Sequence, residues 1–312
     1  MDIITHLVFG ALMYILFFKG ITFEYIIYAM FFAILPDLDI FLSPLKRYFK
    51  SNYLEHRSGS HSYVMGMIIS AIIGIIISMV THQSFLNLWI IGSIFYGIHI
   101  SQDLLTTTKI PYFYPISKKE YCFYVEKAGS GFTLISSVIL IITLIISYNI
   151  TSDISLIFTI INIATYFMLI YYIYRIITKI WINNQLSEHQ KYLPGVLPFN
   201  YLIFDISIEN NKLMTSIEKK SYFSRSKIIY ENKTSLTPRD MYIYKKGLEL
   251  CMENYYFGKW TVLPELFKYD GVTTLKFFFL EPMIKARATY LKYEFDNNTE
   301  QLIGYDQSYG HI

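Results

Sequence analysis

Cysteine is scarce in this 312-residue chain: Cys122 and Cys251 are the only two, and neither lies in a CxxC or CxxH context. That excludes a disulfide framework and a thiolate zinc site, so any metal here must be held by His and carboxylate. Charge is scarce too. Asp, Glu, Lys and Arg make up 16% of the residues, against about 25% in an average soluble domain, which excludes intrinsic disorder. Nor does either sign dominate, with 27 Lys and Arg against 24 Asp and Glu and a net charge of +3. Such a chain has no global basic surface, and nucleic acid is not an expected partner. The start Met1-Asp2-Ile3-Ile4 lacks a basic segment and no small-residue cleavage site follows, so no cleavable signal peptide is expected.

What the chain has is apolar residues, 53% of the total with a mean hydropathy of +0.34. They are concentrated toward the N-terminal side. Residues 1–182 carry eleven Lys or Arg and nine Asp or Glu, while residues 183–312 carry sixteen and fifteen. We therefore expect a transmembrane domain over 1–182 and a soluble one over 183–312. Six apolar runs read as spans, at Ile3 to Phe18, Thr22 to Leu35, Ser62 to Val80, Phe85 to Ile100, Phe132 to Ile150 and Ile154 to Ile182. The first two are short, with Lys19 and Gly20 as a tight turn between them. The expected fold is a mostly α, polytopic membrane helical bundle of about six transmembrane helices, followed by a cytoplasmic α+β, β-rich domain.

Orientation follows from the basic residues. Lys46, Arg47, Lys50 and Arg57 follow the second run, Lys109, Lys118, Lys119 and Lys127 follow the fourth, and Arg175 and Lys179 close the sixth. The alternate connections hold Lys19 and then none, which places both termini in the cytoplasm of a multi-pass cell-membrane protein. In the tail, Tyr201 to Ile208 and Lys212 to Phe223 have strand composition around an Asn210-Asn211 turn. Thr237-Pro238-Arg239-Asp240 starts a helix running to about Tyr255, and Thr274 to Leu280 and Ala286 to Phe295 read as further strands. The tail holds no metal-ligand cluster and reads as a packing or interaction domain.

The chemistry gathers in the first 110 residues. His6 begins the first run, Asp37 and Asp39 close the second, His56 and His61 precede the third, and His99 with Asp103 closes the fourth. Under this topology all of them fall at one end of their runs, so four helices deliver ionisable groups to one layer. Such groups near hydrocarbon are costly and are generally paired or functional. His99 and Asp103, at i and i+4, face the same way on a helix; that suits two metal ligands, and equally an ordinary His–Asp hydrogen bond. Asp37 and Asp39, after Pro36, read as ligands or as solvated turn residues. Arg57 reads as a phosphate-binding fork or as a basic topological anchor.

The order Thr5-His6, Leu35-Pro36-Asp37-Leu38-Asp39, His56-Arg57 to His61-Ser62, then His99-Ile100-Ser101-Gln102-Asp103-Leu104-Leu105-Thr106 resembles the membrane-bound metal-dependent hydrolases of the YdjM-like group. It is more distantly similar to the zinc-dependent phospholipase C family. The chain departs from the group's usual Gly after the Arg and Thr before the second His, having Ser58 and Ser60 there. The resemblance implies metal ligands at His6, Asp37, His61, His99 and Asp103, with His56 and Asp39 as additional ligands or as groups that orient them. It also implies one or two ions of Zn, or Mn or Fe, which suit a nitrogen and oxygen donor set. A bound ion activates water and polarises the bond under attack, with Asp39 or Asp37 accepting the proton. The expected function is hydrolysis of a phosphoester of a lipid or membrane-associated substrate at the cytoplasmic face. An intramembrane amidase of the ceramidase type, and a metal-binding transporter or sensor without chemistry, are the alternatives.

Overall fold

The computed structural model describes residues 2–18, 23–45, 57–221, 225–253, 259–284 and 286–312. Two compact units result, Met1–Thr178 and Lys179–Ile312. In the first, α1 (Ile3–Phe18) and α2 (Phe23–Ile34) form a hairpin, and a 3₁₀ stretch (Leu35–Leu45) continues from α2. Pro36 sets that change: it has no N–H to give the preceding turn, and its ring disfavours the α conformation just before it. Next come α3 (Tyr63–Thr81), α4 (Phe85–Leu104), α5 (Gly131–Thr151) and α6 (Ile154–Asn183). Ser62 caps α3, its hydroxyl accepting the Val64 N–H at 3.2 Å. His82 closes α3 in the left-handed conformation at φ 57°.

The expectation of six spans is corrected here. Among the described residues three helices, α3, α5 and α6, are long and apolar enough to cross a membrane. The reason is physical. At 1.5 Å per residue, α1 with 16 residues and α2 with 12 reach about 24 and 18 Å, short of the roughly 30 Å of a hydrocarbon core. Helix α4 has the length, 20 residues, but spends its last turns on His99, Ser101, Gln102 and Asp103.

Packing lays these helices side by side. Met13 and Tyr14 of α1, Ala29 and Phe32 of α2, and Leu88, Phe95, Tyr96 and Ile100 of α4 share one core. A second core joins Val8 and Leu12 of α1 to Leu140 of α5 and Ile161 of α6. Helix α4 runs back along α3. A Cβ on Gly66 of α3 would lie 2.4 Å from the Tyr96 ring, so glycine is what allows the close approach. The Tyr96 hydroxyl then donates to the Ser60 carbonyl at 2.6 Å, tying the segment before α3 to α4.

The second unit holds two four-stranded antiparallel meanders, β1 (Gln190–Pro194), β2 (Asn200–Glu209), β3 (Lys212–Ser221) and β4 (Lys227–Ser235), then β5 (Val262–Tyr269), β6 (Val272–Phe279), β7 (Arg287–Asp296) and β8 (Leu302–His311). Helix α7 (Pro238–Glu253) lies between them in sequence, and its Ile243 and Cys251 pack with Leu275, Phe277, Leu291 and Phe295 of the second sheet. Asn210 and Asn211 take φ 50° and 60°, the two-residue turn whose twist matches a hairpin. Thr237 caps α7 reciprocally: its Oγ1 accepts the Asp240 N–H at 3.3 Å, and the Asp240 carboxylate accepts the Thr237 N–H at 2.7 Å. The sequence-based ends at Phe223 and Tyr255 lie outside the described residues.

Candidate metal centre

Four segments bring their ionisable groups to one end of the helical unit. His6 stands in the first turn of α1 and Asp37 and Asp39 in the 3₁₀ stretch. His61 lies in the bend before α3, and His99 and Asp103 in the last turns of α4. All six are at most 5% exposed. Asp37, His61, His99 and Asp103 each offer one ligand atom, and these atoms lie within 4.8 Å of one another. His61 Nε2 is 3.5 Å from Asp37 Oδ1, 3.3 Å from Asp103 Oδ2 and 3.4 Å from His99 Nε2, while His99 Nε2 is 3.7 Å from both oxygens. Ligands at about 2.0–2.2 Å around a tetrahedral ion are separated by roughly 3.3–3.6 Å, so these spacings fit one.

His6 completes the group from the other side. Its Nε2 is 3.4 Å from Asp103 Oδ1 and 3.9 Å from Asp37 Oδ2, and its ring stacks on His99 with centroids 3.8 Å apart. Each of the two carboxylates thus turns one oxygen to His61 and His99 and the other to His6. His6 Nε2 and Asp37 Oδ1 are buried without a hydrogen bond. Buried polar atoms left so are costly, and a cation among them satisfies both.

The outer nitrogens explain why the inner ones converge. His6 Nδ1 lies 2.8 Å from Gln102 Oε1, His99 Nδ1 lies 2.7 Å from the Ala33 carbonyl, and His61 Nδ1 lies 3.3 Å from Asp39 Oδ2. An amide oxygen, a carbonyl and a carboxylate can only accept, so each Nδ1 carries its proton there and each Nε2 turns a lone pair or a second N–H inward. This is the arrangement that fixes imidazoles as metal ligands. Burial opposes charge on His61, but Asp103, Asp37 and Asp39 beside it prevail and raise it to about 10. Burial likewise pushes Asp37 up, yet contact with His61 and the nearby His99 and His6 hold it well below the usual carboxylate range. A cation held by these groups would compete with the His61 proton.

A family model described as the YdjM inner membrane protein matches residues 1–179, the part of the chain that carries this cluster. The chain belongs to the YdjM inner membrane protein family. The match takes in the whole helical unit and none of the two sheets. No curated protein and no solved structure matches the chain, so the likeness to phospholipase C has no counterpart among these findings.

Sequence reasoning selected eight positions, and the structure gathers five of them, His6, Asp37, His61, His99 and Asp103, around one point. Asp39 stands behind His61, on the side away from the converging atoms. It accepts the Arg57 N–H at 3.1 Å and the Ser60 hydroxyl. Arg57 sits at the rim with its side chain 12% exposed, its Nε 3.4 Å from Asp103 Oδ2 and its Nη1 donating to Thr108 Oγ1 at 2.8 Å. Its φ of 61° is uncommon for a residue with a side chain. His56 lies outside the described residues. Three supporting groups escaped the sequence reading: Gln102, Ser60 and the Ala33 carbonyl. Gln102 left a signal, an amide directly beside Asp103 in the polar last turns of α4. Ala33 left an indirect one, since Pro36 ends α2 and the last carbonyls of a helix lack partners within it.

Proposed function

We propose that this protein is a membrane-embedded metal-dependent hydrolase acting on a phosphoester of a lipid or membrane-associated substrate. One observation carries the reading: three imidazoles, each tied through Nδ1 to an acceptor, turn Nε2 toward two buried carboxylates. Zinc, or manganese or iron, as one or two ions bound there, would supply Lewis acidity toward water and toward the phosphoryl oxygen. The residues of the chain do the rest. Asp39 keeps His61 in register, Gln102 does so for His6, and Asp103 pairs with Arg57, whose partly exposed guanidinium would receive a phosphoryl oxygen. A transporter places its ionisable site near the bilayer midplane, whereas this cluster lies at one end of α3 and α4, which favours surface chemistry.

The experiment is hydrolysis of a phosphodiester, a phosphomonoester and a ceramide, each assayed separately with and without chelator. Arg57→Lys is expected to keep its metal and to lower phosphoester hydrolysis by about 1–3 kcal/mol in transition-state free energy, the scale of one charge-assisted contact. Unchanged activity in that variant makes Arg57 a basic anchor only, and turnover confined to ceramide selects the amidase reading.

The site end also carries Arg57, Lys109, Lys118, Lys119, Lys127 and Arg175, whereas Thr81 to Ser84 and Ser147 to Asp153, at the opposite ends of the hairpins, hold no Lys or Arg. By the positive-inside rule we read the site end as cytoplasmic, and with the 20-residue α4 carrying the chain back beside α3 both termini lie there too. An impermeant thiol reagent on intact cells should label Ser84→Cys and spare Ser187→Cys; the reverse pattern inverts the orientation.

A further inference from the structure

The connection between α4 and α5 is fastened at its base. Phe123 N–H donates to the Leu104 carbonyl at 2.7 Å and Val125 N–H to the Leu105 carbonyl at 2.9 Å, while Ile110 and Tyr121 exchange both backbone hydrogen bonds at 3.0 Å. Its turn is fastened again, to the start of α3. Tyr63 N–H donates to the Tyr112 carbonyl at 3.0 Å, the Ser62 hydroxyl donates to the Tyr114 carbonyl, and the Tyr63 ring meets the Tyr112 and Phe113 rings at 6.2 and 6.3 Å. Helix α3 is one of the candidate spans, so its first turn lies where hydrocarbon gives way to head groups. At that level the turn leaves Ile116 80% exposed, with Phe113 and Phe123 about half exposed. Lys118 and Lys119 follow directly, the Lys119 ammonium standing 5.1 Å over the Tyr121 ring.

We propose that the segment Pro111–Phe123 is a lipid-contacting element, its apolar tip inserted at the bilayer surface and its lysines set against head-group phosphates. Apolar side chains beside interfacial aromatics and lysines form the pattern that lies in a membrane surface. The occupant is lipid rather than protein because the tip adjoins the first turns of α3, whose Met67 and Ile68 are themselves exposed as lipid-facing residues would be. The same segment leads back to Thr108, which holds Arg57, so a head group captured here stands beside the metal centre. The geometry requires no catalysis.

The test uses the full chain with Cys122→Ser, reconstituted in vesicles of zwitterionic and anionic phospholipid, and a nitroxide on Ile116→Cys. Cys251 is fully buried and stays. Collisions with oxygen should exceed those with a polar nickel chelate, in the same sense as for a nitroxide on Ile72→Cys of α3. Nickel collisions matching or exceeding those of oxygen would place the tip in water and overturn the proposal. Poor access for both reagents would mean that protein covers the tip, and would overturn it equally. Since nothing in the readout depends on turnover, oxygen-dominated collisions in a protein that hydrolyses nothing would uphold lipid contact and remove only the hydrolase reading.

Discussion

Asp103→Ala is expected to strip the protein of its metal and of any hydrolysis. Asp103 is the group on which the site turns: its oxygens lie 3.4 Å from His6, 3.3 Å from His61, 3.7 Å from His99 and 3.4 Å from the Arg57 guanidinium. Removing it leaves one carboxylate, Asp37, to neutralise a divalent cation among three imidazoles, and it leaves Arg57 facing those imidazoles without its counter-charge. Breaking such a buried pair costs about 3–5 kcal/mol, so the melting temperature should fall as well. Asp103→Asn separates the two effects. It keeps the shape and an oxygen but not the charge, so it should fold better than the alanine variant and still bind metal poorly. Elemental analysis of protein purified without chelator decides the matter: wild-type occupancy in Asp103→Ala would show that Asp103 is no ligand, and a metal-free wild type would show that the cluster is a hydrogen-bonded polar core.

How much of this was legible in sequence depends on what each residue must do locally. His99 and Asp103 were readable as neighbours because a helix fixes what i and i+4 share, whereas Pro36 left Asp37 open between ligand and solvated turn until the order of the motifs was considered. Six apolar runs overcount the spans, although the shortness of the first two is visible in the sequence and the third, fifth and sixth are the three that reach across. Helices α1 and α2 are apolar enough but short, and α4 is long but gives its last turns to the site. In the tail, the Asn210-Asn211 hairpin was visible from its turn residues. Strand β5 was missed although Asp270-Gly271 marks its turn as plainly, with φ 33° and 81°. Strands β4 and β8 are mostly exposed along their length, so they show little of the alternation that identifies a half-buried strand. The supporting shell was least readable, because which acceptor meets which Nδ1 depends on contacts between residues as distant as His6 and Gln102.

Asp39 carries two readings from the sequence, a group that orients a ligand and a proton acceptor, and Asp39→Asn tells them apart. As a proton acceptor, Asp39 would face the substrate side, and its loss would leave metal content intact while hydrolysis failed. In the structure its Oδ2 is committed elsewhere: it lies 3.3 Å from His61 Nδ1, accepts the Arg57 N–H at 3.1 Å and takes the Ser60 hydroxyl. A carboxylate so placed fixes the imidazole ring and raises its basicity as a ligand, and loss of such a partner typically weakens metal binding by about 10- to 100-fold. Asparagine offers one neutral oxygen for the three donors that Oδ2 now serves, and its NH₂ would press against donors. Metal affinity measured by competition with a chelator should therefore fall by about that factor, and activity should return when the ion is supplied in excess. Unchanged affinity with activity that no excess restores would move Asp39 from holding His61 to handling the proton.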